Sequence, residues 1–127
     1  MHAEENDVDG GQDRSAQIIS LVLDYLDKNY MRYDLTLDRV ADILGLNPSY
    51  LSSLFKRLTG VNFSVYITDK RISHAKELLK DPLRSANEIA GLTGYESASY
   101  FTRAFKKKTG LTPTEYRKSL RGKGRDE

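Results

Sequence analysis

Apolar residues recur every three or four positions along most of the chain, which is the spacing of an α-helix. Downstream of residue 15, Ile18, Leu21, Val22 and Tyr25 fall on one helical face and predict a first amphipathic helix. The alternation of apolar and polar residues that is typical of strands is almost absent. The pattern therefore predicts an all-α protein.

Capping residues divide the remainder of the chain into short helices. Ser, Thr and Asn are favoured at helix N-termini, whereas glycine commonly follows the last helical turn. A longer helix, over residues 62–81, separates two groups of shorter ones. The predicted helices run from Thr36 to Gly45, Asn47 to Gly60, Asn62 to Asp81, Ser85 to Gly94, Ser97 to Gly110, and onward from Thr112.

Two stretches of the chain are nearly the same, namely YLSSLFKRLTG at 50–60 and YFTRAFKKKTG at 100–110. Within them the offset is fifty residues, but upstream of the preceding turn it is forty-nine, where Gly45 matches Gly94. The change of offset means that the second turn contains one additional residue. Duplication of a packed unit predicts insertions in turns, because loops tolerate insertions and packed helices do not. Each copy is a short helix, a turn and a second helix, and two copies are too few for a solenoid. The repeat unit is therefore predicted to be a helix-turn-helix.

The repeated second helices have an apolar face and a polar face. The apolar face is expected to pack in the core, and Tyr50 and Tyr100 border it and are expected to pack beside it. The face comprises Leu51, Leu54, Phe55 and Leu58 in the first copy and Phe101, Ala104 and Phe105 in the second, where the last position is the polar Lys108. On the polar face the N-terminal turns differ between copies, whereas the C-terminal turns stay basic. This division is expected of a helix that contacts base edges with its first turns and phosphates with its last.

The spacing of the two units also suits DNA. Two helices that enter successive major grooves on one side of B-DNA lie roughly 34 to 36 Å apart. A linker helix of about twenty residues would be roughly 30 Å long. Because the copies follow one another in a single chain, the expected DNA site is asymmetric and bipartite.

Charge is unevenly distributed along the 127 residues, which carry a net charge of +2. Residues 1–14 contain five acids and one arginine, so the remainder is more basic than the total indicates. The strongest basic cluster is RAFKKK at 103–108. Such a cluster attracts nucleic acid, although lysines on an exposed helix also occur as an ordinary solvated face.

Composition excludes several classes of protein. There is no cysteine, and therefore no disulfide or thiolate chemistry. The first residues, MHAEENDVDGGQDRS, lack the apolar run of a signal peptide, and no segment approaches the ~20 apolar residues of a membrane span. We therefore expect a cytoplasmic protein that has no membrane association.

No enzyme site is apparent. His2 lies in the acidic N-terminal segment, and His74 lies in the linker helix, where a structural role is expected. There is no glycine-rich phosphate loop and no pair of carboxylates beside a base. We predict no enzymatic activity, no catalytic residue, no metal and no cofactor.

Three segments resemble the DNA-binding domain of the AraC/XylS family of bacterial transcription regulators: LDRVADILGLNPSYLSSLFKRLTG, ITDKRISHAKELL and EIAGLTGYESASYFTRAFKKKTGLTPTEYR. The resemblance covers about residues 17–120 and implies about seven helices in two helix-turn-helix subdomains joined by a long linker helix. It also implies that the third and sixth helices contact DNA. The base-contacting positions would be Ser49, Ser52, Ser53, Ala98, Ser99, Thr102 and Arg103, and the expected phosphate contacts are Lys56, Arg57, Lys106 and Lys107.

The chain departs from the family pattern at position 53, where relatives commonly carry a long basic residue and this chain has Ser53. The first unit is therefore expected to contact few bases directly. Ala98 offers only an apolar contact, such as one to a thymine methyl group. Arg103 is suited to bidentate recognition of guanine, although a phosphate contact is the alternative.

The resulting domain prediction has an acidic, disordered segment over 1–14, a first subdomain over 15–61, a linker helix over 62–81, a second subdomain over 82–121 and a disordered end over 122–127. The family usually joins this domain to a sensor or receiver domain, so an N-terminal partner domain is expected. Double-stranded DNA is the predicted partner. A protein-interaction module that binds an acidic partner such as RNA polymerase is the alternative.

Overall fold

The computed structural model describes the backbone of residues 2–126 and the side chains of residues 14–122. That part of the chain forms seven α-helices and contains no strand. The helices are α1 (His2–Asn29), α2 (Leu37–Leu44), α3 (Pro48–Thr59), α4 (Phe63–Leu78), α5 (Ala86–Thr93), α6 (Ala98–Thr109) and α7 (Pro113–Asp126). The predicted all-α fold of about seven helices is confirmed.

The capping residues act where the sequence predicted. The side chains of Thr36, Asn47, Ser85 and Ser97 each accept a hydrogen bond from a backbone N–H in the first turn of the helix that follows. These bonds satisfy donors that have no acceptor within the helix itself. The helices α2, α3, α5 and α6 each end at a glycine with positive φ.

The terminal helices are longer than predicted. Disorder was predicted over 1–14 and 122–127, whereas α1 begins at His2 and α7 continues to Asp126. The prediction of disorder rested on the polar composition of these two segments. Few apolar side chains limit packing against a core but do not prevent the backbone from forming a helix. The parts of the prediction that concern Met1, Glu127 and the side chains of 1–13 and 123–127 lie outside the described residues.

The helices form two compact units, each with its own core. The first contains α1 and residues 36–66, and the second contains residues 30–35, the rest of α4 and α5–α7. The division differs from the predicted one in two ways. The predicted linker helix over 62–81 is not separate, since its residues up to Tyr66 belong to the first unit and the rest to the second, and the segment 30–35 belongs to the second unit. Hydrogen bonds explain the second difference, because Arg71 of α4 donates to the carbonyl oxygens of Tyr30 and Arg32 at 2.8 and 2.9 Å.

The first core lies between α1, α2 and α3 and includes Leu51 and Phe55 of α3. Its α1 face is Ile19, Val22 and Leu26, all buried, whereas Leu21 is 60% exposed. The predicted face, which included Leu21, was therefore displaced by about one residue. Both sets have helical spacing, and the position of α2 and α3 decides which of them is buried.

The second core joins α4, α5, α6 and α7. Ile72, Leu79 and Ile89 are buried in it against Phe101 and Phe105. Each buried phenylalanine contributes about 1.5 to 3 kcal/mol relative to an exposed one.

The duplication extends to the contacts that these residues make. Phe55 packs edge-on against Tyr66 with ring centroids 5.5 Å apart, and Phe105 packs against Tyr116 at 5.4 Å. Thr59 Oγ1 lies 2.8 Å from the carbonyl oxygen of Phe55, and Thr109 Oγ1 lies 2.8 Å from that of Phe105. The repeated Thr-Gly pair therefore ends both helices by the same hydrogen bonding.

The last position of the predicted apolar face is not buried in either copy. Leu58 was expected to face the core but is 46% exposed. Its counterpart Lys108 forms an ion pair with Asp69 of α4. The C-terminal turn of each helix therefore extends beyond the core that covers the preceding turns.

Candidate nucleic-acid interface

The polar face of α3 is exposed along its whole length. It lies opposite the buried residues Leu51, Leu54 and Phe55. The exposed side chains include all the residues predicted to contact DNA from this helix, namely Ser49, Ser52, Ser53, Lys56 and Arg57.

The corresponding residues of α6 lie together in a shallow surface depression. The depression has a volume of about 600 Å³ and is lined by Ala98, Ser99, Thr102 and Arg103. These are the four base-contacting positions predicted for the second unit. Ser99 and Arg103 are exposed, whereas Ala98 and Thr102 are half-buried. The structure therefore brings together an apolar methyl group, two hydroxyls and a guanidinium on one helix face.

The first turn of each helix is held in place by its N-cap. Asn47 Oδ1 accepts from the N–H groups of Ser49 and Tyr50 at 2.8 and 3.2 Å. Ser97 Oγ accepts from the N–H of Tyr100 at 3.2 Å. Both caps restrict fraying at the end of the helix that carries most of the predicted base-contacting side chains.

Aromatic residues border this surface, contrary to expectation. Tyr50 and Tyr100 were expected to pack beside the core, but they are 46% and 61% exposed. The guanidinium carbon of Arg103 lies 4.8 Å from the centroid of the Tyr100 ring. This contact was not predicted from the sequence, although a spacing of three residues on a helix places the two side chains side by side.

The predicted phosphate contacts are exposed cations in the last turns of α3 and α6. Lys56 and Arg57 lie at the end of α3, and Lys106 and Lys107 lie at the end of α6. All four are exposed. A positive charge at a helix C-terminus is favourable by itself, so these cations are stable there without a ligand. The adjacent Lys108 differs, because Asp69 neutralises it.

His74 has structural contacts. Its Nδ1 lies 3.1 Å from the Tyr30 hydroxyl, and the two rings pack edge-on with centroids 5.8 Å apart. Among the described residues, no group of three His, Cys, Asp or Glu side chains could hold a metal ion. In the same part of the chain, no helix is both long and apolar enough to cross a membrane.

Comparison with known proteins identifies the family. The family described as a helix-turn-helix domain matches residues 40–119. The C-terminal domain of AraT, a response regulator from Geobacillus stearothermophilus, is 37% identical in sequence. Its structure superposes with a TM-score of 0.78 over 80% of this chain and 84% of that one. An AraC-type transcriptional regulator from Chromobacterium violaceum is 27% identical with a TM-score of 0.63, covering 85% of this chain and 92% of that one. This chain belongs to the AraC family.

Relatives of this domain include named transcription regulators. Another relative is the melibiose operon regulatory protein of Escherichia coli K12, which is 37% identical over 106 residues. That alignment covers 83% of this chain but 35% of the relative. The chain spans less than half the length of the curated relatives that it matches.

Proposed function

We propose that this AraC-family domain places α3 and α6 in successive major grooves of an asymmetric, bipartite DNA site. The observation that carries the proposal is the division along each helix. Side chains of differing chemistry occupy the N-terminal turns of the two exposed faces, and exposed cations occupy the C-terminal turns of both. Recognition of base edges requires side chains whose chemistry differs with the base sequence, whereas contact with phosphates requires only positive charge.

The two helices would contribute unequally to sequence recognition. The first unit offers Ser49, Ser52 and Ser53, whose hydroxyls both donate and accept and therefore discriminate weakly among bases. The second unit adds Arg103, whose guanidinium matches the two acceptors of guanine. We therefore expect the α6 half of the site to be the more strictly specified, with at least one essential guanine.

The relatives are longer than this chain, and their additional length is the basis for proposing further partners. Since the chain corresponds to less than half of each of them, we propose that it works as the cytoplasmic output domain of a larger regulator. An N-terminal sensor or receiver domain would then control it, and RNA polymerase would be a second partner during activation.

The test is selection from a random duplex library at about 150 mM salt, followed by sequencing of the bound fraction. The proposal predicts two enriched blocks about 10 base pairs apart. Arg103→Ala should change the base preference within one block only. Lys106→Ala should weaken binding while leaving the enriched sequence unchanged.

Binding without enrichment would contradict sequence-specific recognition and would favour a basic interaction module. A palindromic enriched site would contradict the tandem arrangement. Either result is separable from misfolding, because circular dichroism of the same samples reports on the helices.

A further inference from the structure

Near the N-terminus of α6, the side chain of Arg103 packs over the ring of Tyr100. Tyr100 is 61% exposed, yet the Arg103 guanidinium lies over its ring, 4.8 Å from the centroid. An arginine above an aromatic face is attracted by the negative electrostatic potential of that face. The contact therefore favours positions of the guanidinium near the N-terminal turn of α6.

The contact would matter because a long side chain loses rotamer freedom on binding. An arginine that is already positioned loses less conformational entropy on binding, and its planar guanidinium can form two parallel hydrogen bonds without first changing its rotamer. A contact at a solvent-exposed ring is strong enough to favour one orientation by about two- to five-fold.

The first repeat provides an internal contrast. Tyr50 occupies the position equivalent to Tyr100 in α3 and is 46% exposed. The position equivalent to Arg103 is Ser53, which has no charge for the ring to orient. The same tyrosine therefore has an arginine to position in one unit and none in the other.

We infer that Tyr100 is a specificity-determining positioning residue, whose ring directs Arg103 to a guanine base edge in place of the phosphate backbone. The inference rests on the proposed function of α6. It is favoured by the location of Arg103, which lines the depression shared with Ala98, Ser99 and Thr102. The cations expected at phosphates, Lys106 and Lys107, lie in the last turn instead.

The experiment measures dissociation constants by fluorescence anisotropy for the enriched duplex and for versions in which each guanine of one block is replaced by adenine. The whole chain is used, as the wild type and as Tyr100→Ala, Tyr100→Phe, Arg103→Ala and the double variant Tyr100→Ala/Arg103→Ala. Tyr50→Ala is the matched control. Thermal unfolding of each variant checks that the fold is retained.

The inference predicts that Tyr100→Ala lowers discrimination at one guanine by about two- to five-fold, whereas Tyr100→Phe retains it because the ring remains. In the Arg103→Ala background, removing the tyrosine should change nothing further. Tyr50→Ala should leave the discrimination unchanged.

Three outcomes would overturn the inference. Tyr100→Ala could leave discrimination intact, it could weaken all duplexes equally, or Tyr100→Phe could lose as much as Tyr100→Ala, which would assign the effect to the hydroxyl. Failure of the proposed function gives a different result, since the wild type would then show no discrimination at any base.

Discussion

At the residue scale, Gly94 is constrained both by its backbone and by its neighbours. Its φ is +106°, a conformation that other residues rarely adopt. A Cβ at this position would lie 2.7 Å from Arg71 Nε and 2.9 Å from the carbonyl oxygen of Tyr30. The hydrogen bond between those two atoms, 2.8 Å long, keeps the arginine from moving away. The turn of the second unit therefore needs glycine for two independent reasons.

We predict that Gly94→Ala destabilises the protein by about 2 to 4 kcal/mol, combining backbone strain with the clash. Gly45→Ala is the matched control, since Gly45 also has positive φ but a Cβ there would meet nothing within 4 Å. It should cost only about 1 to 2 kcal/mol. Urea unfolding monitored by circular dichroism would measure both, and equal losses would contradict the role of the close contacts.

The charge of Arg71 is part of the same arrangement. Its guanidinium carbon lies 5.3 Å from the centroid of the Tyr95 ring. Burial lowers the pKa of Arg71, and the nearby tyrosine opposes that effect. Burial raises the pKa of Tyr95, and Arg71 partly offsets it. The raised pKa favours a neutral Tyr95, whereas the lowered pKa of Arg71 opposes its charge. The guanidinium nevertheless stays charged at neutral pH, because an arginine is too strong a base to be deprotonated in a protein.

At the scale of the element, α7 begins with a reciprocal capping box. The N–H of Thr112 donates to Glu115 Oε1 at 2.8 Å, and the N–H of Glu115 donates to Thr112 Oγ1 at 3.1 Å. The hydrogen bonds from the backbone and side chain of Thr112 lower the pKa of Glu115 below its ordinary value of 4.5. The carboxylate form is therefore the one that stabilises the start of the helix.

This shift predicts a pH dependence of α7. Because the pKa is depressed in the folded state, the stabilisation is fully present above pH 4.5 and is lost as the pH falls through the lowered value. Carboxyl chemical shifts in an NMR titration should give a midpoint below 4.5 for Glu115. Thr112→Ala, which removes the hydroxyl of the cap, should move the midpoint upward, and an unchanged midpoint would contradict this assignment.

The same helix is attached to the end of α4 by Arg117. Its guanidinium donates to the carbonyl oxygens of Leu79, Asp81 and Arg84 at 3.1, 3.1 and 2.6 Å. These carbonyl groups lie in the connection between α4 and α5, and Arg117 provides three hydrogen bonds to them from one side chain. One residue thus stabilises both α7 and the connection from α4 to α5.

We predict that Arg117→Ala destabilises the protein by about 2 to 4 kcal/mol, because hydrogen bonds from a charged group are lost and two of the three are partly buried. Arg117→Lys should recover only part of this, since a lysine cannot reproduce the planar fork. Lys118→Ala, at an exposed neighbouring position, is the control for removal of a charge. Urea unfolding that shows equal stability for all three variants would contradict the role of the three bonds.

At the scale of the whole molecule, the proposed DNA complex depends on the cations of two helix ends. Four cations are proposed to contact phosphate, namely Lys56, Arg57, Lys106 and Lys107. Each phosphate neutralised on B-DNA contributes about 0.9 to the slope of log K against log salt. Affinity should therefore fall steeply with salt even for the preferred sequence.

We predict that Lys106→Ala lowers the magnitude of this slope by about 0.9. Lys80→Ala is the matched control, because Lys80 lies beyond the C-terminal end of α4 and pairs with Glu77 at 3.1 Å. It removes the same charge but should leave the slope unchanged. Equal slopes for the wild type and Lys106→Ala would place Lys106 away from the phosphates.

The molecule also shows where sequence-based prediction ends. Arg103 was predicted as a contact residue from its position on the helix, whereas its ring partner Tyr100 was expected to pack beside the core. The error arose because position 100 lies on the border between the two faces of α6. Whether Tyr100 is buried or exposed depends on how far α7 and α4 cover α6, and the local sequence pattern does not predict that.

By itself the sequence determined the capped starts and glycine ends of α2, α3, α5 and α6, the duplicated unit and the exposed faces of α3 and α6. Caps such as Thr36 and Asn47 and the terminal glycines act on backbone groups within about one helical turn, so their effect can be predicted from neighbouring residues in the sequence. Only the tertiary structure decided that Ile19 is buried in place of Leu21, that Leu58 is exposed, and that Lys108 pairs with Asp69. Those outcomes depend on residues distant in the sequence, whose approach is determined by the packing of whole helices.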